Sequence, residues 1–156
     1  MKLHLVRHGN AEKESRSGHD FDRSLSKKGV NQTLNLGLYL NPKIDDCEVW
    51  CSGAVRTRET LKSISKACPL HQPRYLRDLY LCSKQALLHH IWKREYNKDL
   101  LIVGHNFGVS DLLSYFVSDI IELRTAEYYC IDFGDLTSTE IFQGTGVITD
   151  QYYPQV

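Results

Sequence analysis

This 156-residue chain has no apolar run approaching the ~20 residues needed to cross a bilayer. It also has no net charge, with 19 Lys plus Arg set against 19 Asp plus Glu. Without an overall field, nothing draws it generally to nucleic acid or to an anionic membrane surface. Any anion it binds is held by a local cluster, which suits a small group better than a polyanion. No C-x-x-C occurs among its five cysteines (Cys47, Cys51, Cys68, Cys82, Cys130), and an odd number cannot all pair. Reduced thiols fit that pattern and point to the cytoplasm. Cys47 and Cys51 read as small buried residues on or near a strand rather than as zinc ligands. The start, Met1-Lys2-Leu3-His4-Leu5-Val6, is too short and too soon charged for a secretory segment, and no A-x-A follows it. Repeats, linkers and low-complexity tracts are missing too, so 1–156 reads as one domain. Its 42% hydrophobic content can fill a core without disulfides or metals as staples.

Apolar runs at 3–6, 48–51 and 100–103 read as buried strands, and 128–133 and 139–142 as two more near the C-terminus. Ser26 caps a helix carrying Val30, Leu34 and Leu38 that stops before Pro42. A second helix runs from about Gly53 towards Pro69, with Ala54, Leu61, Ile64 and Cys68 inward. Ser83 caps a third, striped by Leu87, Leu88, Ile91 and Trp92. A fourth follows Asn106, with Val109, Leu112, Leu113, Phe116 and Val117 on one face. Polar 9–24 reads as a long loop. Strand-helix alternation predicts an α/β fold: a three-layer α/β/α sandwich on a mostly parallel sheet, with an antiparallel strand near the C-terminal end.

Three segments repeat one layout, in which an apolar strand runs into a small residue with histidine or arginine and then into a helix. They are 3–9, 48–58 and 100–106. In a parallel sheet their strand ends fall on one edge, where ligands sit, so Arg7, His8, Arg56 and His105 can converge. Arg56 lies in the first helical turn, where backbone N–H groups and the helix dipole already favour an anion. Phosphate suits two guanidiniums better than carboxylate does, because its oxygens offer several forks. Neighbouring positive charge also disfavours protonation of His8 and keeps its lone pair for attack. A cysteine phosphatase needs five residues between Cys and Arg; Cys51 is separated from Arg56 by four and from Arg58 by six.

The stretches that carry this pattern are Leu5-Val6-Arg7-His8-Gly9-Asn10-Ala11, Asp22-Arg23-Ser24-Leu25-Ser26, Ser52-Gly53-Ala54-Val55-Arg56-Thr57-Arg58-Glu59-Thr60, Leu79-Tyr80-Leu81-Cys82-Ser83 and Val103-Gly104-His105-Asn106. In order and spacing they resemble the histidine phosphatase superfamily, with its RHG motif and phosphoglycerate mutase-like fold, in the small branch of SixA-type phosphohistidine phosphatases. The resemblance implies a hydrolase in which His8 is transiently phosphorylated, Arg7 and Arg56 grip phosphoryl oxygens, and His105 completes the pocket. It implies no metal and no cofactor. Arg23 either reaches the phosphate or pairs with Asp20 or Asp22. The chain departs from the family at Gly53 and Phe107, where the family's motifs usually carry proline.

No glutamate matches the acid that members acting on alcohol phosphates use, and Asp78 is the nearest candidate. An alkoxide is about as poor a leaving group as hydroxide, whose parent acid has a pKa of about 15.7. Imidazole, with a conjugate acid near ~6.5, departs with little help. A phosphohistidine on a partner protein in a phosphorelay is therefore the expected substrate, acted on by a monomer. The first alternative is a broad phosphomonoesterase of small phosphorylated substrates that uses Asp78. The second is a non-catalytic phosphate- or phosphoprotein-binding module.

Overall fold

The computed structural model describes residues 1–95 and 97–155. Strand β1 (Lys2–Arg7) runs through the middle of a six-stranded sheet. Its neighbours are β4 (Leu100–Gly104), parallel, and β5 (Tyr128–Asp132), antiparallel. A central strand is buried on both faces, which is why β4 reads as an unbroken apolar run and β1 as an apolar one broken only by the buried His4. Beyond β4 lie β2 (Glu48–Ser52) and the three-residue edge strand β3 (Arg74–Leu76), both parallel to it. Beyond β5 lies β6 (Val147–Tyr152), antiparallel. The order β3-β2-β4-β1-β5-β6 is thus four parallel strands extended by two antiparallel ones.

Successive side chains point to opposite faces and separate two cores. Leu3, Leu5, Leu100 and Ile102 pack with Leu87 and Ile91 of α3 (Lys84–Trp92) and with Leu112, Leu113 and Phe116 of α4 (Gly108–Val117). Val6, Val49, Cys51, Leu101 and Val103 pack with Leu36 and Leu40 of α1 (Lys27–Leu40) and with Leu61 and Ile64 of α2 (Val55–Ser65). The three layers follow from that alternation. Ser26 and Ser83 cap as expected, their hydroxyls accepting from the N–H of Gly29 at 3.1 Å and of Ala86 at 3.2 Å.

The structure differs from the sequence reading at four points. Residues 139–142 form turns rather than a strand: Ile141 is apolar because it is buried, and its carbonyl takes the Trp92 indole N–H at 2.9 Å. The strand that pairs with β5 is β6, whose exposed and half-buried positions alternate and give little apolar signal. Edge strand β3 escaped notice because three half-exposed residues carry no period. Helix α2 ends at Ser65, short of Pro69.

The candidate active site

Parallel β1, β2 and β4 bring Arg7, Ser52 and Gly104 to one edge of the sheet, with Arg7 opposite Gly104 in register. His8 and His105 follow directly, their ring centroids 5.2 Å apart. A cleft of about 340 Å³ opens there, lined by Arg7, His8, Asp20, Arg23, Leu81, His105, Asn106 and, from the start of α2, Arg56. Larger hollows beside Tyr75 and beside Cys47 contain none of the four residues expected to converge.

The His8 ring is 8% exposed, on the cleft floor. Its Nδ1 lies 2.7 Å from the Gly9 carbonyl oxygen. A carbonyl only accepts, so Nδ1 carries the proton and Nε2 keeps its lone pair. Arg56 Nε donates to that Nε2 at 3.3 Å. Burial pushes His8 down to about 4; the Gly9 carbonyl opposes this, and Arg56, Arg7 and Arg23 add to it. The imidazole is neutral at pH 7, with desolvation ahead of the neighbouring charge from which neutrality was expected.

His105 Nε2 lies 2.7 Å from the Ser52 hydroxyl, while its Nδ1 is buried and has no hydrogen-bond partner among the described residues. Burial lowers it to about 3, with His8 and Arg56 contributing. Arg7 donates from Nη1 to the Leu123 carbonyl at 2.8 Å, and its buried Nε likewise has no partner among the described residues. Leaving a buried donor unmet costs about 1–3 kcal/mol. Both such atoms found in the described structure belong to this cleft.

Arg56 is only 3% exposed and is fixed by Asp20, donating to its carbonyl at 2.8 Å and to Oδ2 at 3.0 Å. Arg23 Nη1 donates to the other carboxylate oxygen at 2.8 Å, and the Tyr80 hydroxyl also donates to Oδ2. The Tyr80 hydroxyl, with Arg23 and Arg56, holds this carboxyl far below the usual range, so Asp20 is ionised. Arg23 therefore pairs with Asp20 and also lines the cleft. Three guanidiniums face one carboxylate and two neutral imidazoles, a setting whose charge and hydrogen-bond donors are complementary to a small anion.

Asp78 is elsewhere. The short 3-10 turn Arg77–Leu79 buries Leu79 and leaves Asp78 exposed, in a separate hollow with Glu48, Trp50 and Arg74. The carboxylate in the cleft is Asp20, which sequence reasoning named only as a partner for Arg23. It also missed the supports: Ser52 on His105, Thr60 accepting from the Gly9 N–H at 3.0 Å, and Leu123 on Arg7. The loop carbonyl of Leu123 leaves no side-chain pattern to read. Burial pushes the Cys51 thiol up to about 12, so no thiolate forms beside Arg56.

The profile of the histidine phosphatase superfamily (branch 1) matches residues 3–82. No curated protein matches the sequence. Among solved structures, the protein histidine phosphatase SixA complexed with tungstate superposes with a TM-score of 0.81 at 19% identity, over 97% of this chain and 96% of that one. A candidate phosphohistidine phosphatase SixA from Nakamurella multipartitia gives 0.84 at 21% identity, over 99% and 96%. A phosphoserine phosphatase variant from Entamoeba histolytica, in complex with phosphoserine, gives 0.68 at 13% identity, over 96% and 95%. Identities this low establish the shared fold.

Proposed function

The chain belongs to the histidine phosphatase superfamily, and from that premise we propose that it hydrolyses phosphohistidine on a partner protein through a phosphoenzyme on His8. The observation that carries this reading is the pair of buried polar atoms without a partner among the described residues, Arg7 Nε and His105 Nδ1, beside His8 Nε2, whose lone pair accepts only the long 3.3 Å hydrogen bond from Arg56 Nε. An oxyanion between them would satisfy both donors and present its phosphorus to the nucleophile. Nε2 attacks phosphorus, the bond to the substrate's imidazole nitrogen breaks, and that nitrogen keeps the electron pair, leaving as neutral imidazole because the ring's other nitrogen carries a proton. Arg7 and Arg56 hold the equatorial oxygens while charge redistributes, and His105 donates from Nδ1 once the Ser52 hydroxyl donates to its Nε2. Water then attacks the phosphohistidine, releasing inorganic phosphate and restoring His8. No metal or cofactor enters these steps.

The substrate follows from the leaving group. An ionised Asp20, tied by three donors, holds no proton to give, and Asp78 lies outside the cleft. A phosphohistidine ring protonated by solvent on its far nitrogen leaves as neutral imidazole, whose conjugate acid lies near ~6.5, so it needs no acid in the cleft, whereas an alkoxide does. The test compares the parent chain with His8→Ala on a phosphohistidine protein, on an alkyl phosphate and on an aryl phosphate. The parent is expected to favour phosphohistidine by at least ~100-fold, and the variant to lose about 10³-fold or more of each activity. Acid-labile phosphate is expected on position 8 during turnover. Retained activity in His8→Ala overturns the mechanism; equal turnover of alkyl phosphates overturns the substrate.

A further inference from the structure

Two large apolar side chains stand in solvent beside the cleft. Leu81 lines it and is 54% exposed, and Phe107, next in sequence to the lining residue Asn106, is 67% exposed. The residues that follow them meet: a Cβ on Gly108 would come within 2.3 Å of the Cys82 carbonyl oxygen, which brings the segments carrying Leu81 and Phe107 together. Leu81 is also held at a φ of 48°, a left-handed conformation that favours glycine. Folding explains neither feature, because neither side chain is packed into a core and the backbone of Leu81 is strained.

The position of the lip determines what covers it. When a phosphoryl group sits against His8 on the cleft floor, everything bonded to it must pass out across the mouth. A phosphorylated sugar, glycerate or amino acid offers little apolar surface there, whereas a protein segment does. We propose that Leu81 and Phe107 form a specificity lip receiving apolar side chains that flank the phosphohistidine of a partner protein. This rests on the phosphohistidine reading above and adds the character of the recognised segment.

The test uses the full chain with three probes: a phosphohistidine peptide with leucine and phenylalanine flanks, the same peptide with serine and glycine flanks, and the phosphoramidate ion, which has no flank. The parent is expected to prefer the apolar flanks by about tenfold in kcat/KM. In Leu81→Gly combined with Phe107→Ser, the KM for the apolar peptide should rise about tenfold with kcat little moved, and the peptide-to-phosphoramidate ratio should fall by the same factor. Glycine suits the left-handed position, so a folding defect at residue 81 is not expected. Equal use of both flanks by the parent overturns the lip while His8 chemistry stands. So does a double variant that loses phosphoramidate and peptide hydrolysis in proportion. A parent inert towards all three probes overturns the function itself.

Discussion

Asp20 occupies the hydrogens that a phosphate at Arg56 needs. Arg56 Nη1 donates to the Asp20 main-chain carbonyl and Nη2 to its carboxylate at 3.0 Å, so a dianion arriving at this guanidinium shares it with a like charge. That like charge weakens the phosphate's hold. Because the Asp20 side chain is 43% exposed, solvent screening limits the effect to about 1 kcal/mol or less, roughly twofold to fivefold. Asp20→Asn is expected to lower the inhibition constant of inorganic phosphate by that factor at pH 7, measured as competitive inhibition. A higher constant would mean that the carboxylate orders Arg56 more than it competes. The sequence could not single out this residue. Asp20 and Asp22 lie two positions apart and differ only in where the 3-10 turn aims them: Asp22 accepts from the Ser17 hydroxyl at 2.6 Å, away from the arginines. Arg7, His8, Arg56 and His105 were legible because each follows a strong strand or opens a strong helix.

At the scale of elements, what could be read was whatever carries a period. Strands β1, β2 and β4 and helices α2, α3 and α4 carry apolar runs or stripes, whereas on α1 the stripe read at Val30, Leu34 and Leu38 is half-buried to exposed and the inward face is Gly29, Thr33, Leu36, Gly37 and Leu40. The parallel order of the strands brings the three ends together. Strands β3 and β6 and the segment around Ile141 depend on tertiary pairing, which the local pattern does not encode. Helix pairing supplies a test. On α1, a Cβ at Gly37 would sit 2.6 Å from the Ile64 carbonyl oxygen and 3.0 Å from its Cα on α2. Both neighbours are backbone, so neither can rotate away as a side chain would. Alanine gains about 1 kcal/mol of helix propensity over glycine, but forcing two helices apart costs typically 1–3 kcal/mol. Gly37→Ala is therefore expected to lower stability by up to about 2 kcal/mol net in urea unfolding. A stabilised variant would show that the two helices can separate freely.

For the whole molecule, acid stability depends on histidines. Burial lowers His4 to about 4, His8 to about 4 and His105 to about 3, and outside the cleft His4 is further engaged through Nδ1 with the Tyr128 hydroxyl at 2.9 Å. In the unfolded chain each titrates near ~6.5. Above that pH neither state binds the protons, and the full stability is present. As pH falls below it, the unfolded chain takes up protons that the folded chain refuses, so stability drops by at most about 1.4 kcal/mol per pH unit for each histidine until the folded values are reached. The balanced charge of 19 against 19 leaves little net repulsion to compete with this at the start of the descent, and carboxylates titrate mostly lower. The expected result is a urea midpoint that falls steeply between pH 7 and pH 5, while phosphoryl transfer to His8 in the folded enzyme holds, because its ring is still unprotonated at pH 5. His4→Gln removes one of the three refusals without touching the cleft, so it should make the descent shallower by one histidine's share. A slope that His4→Gln leaves unchanged would assign acid sensitivity to the carboxylates instead.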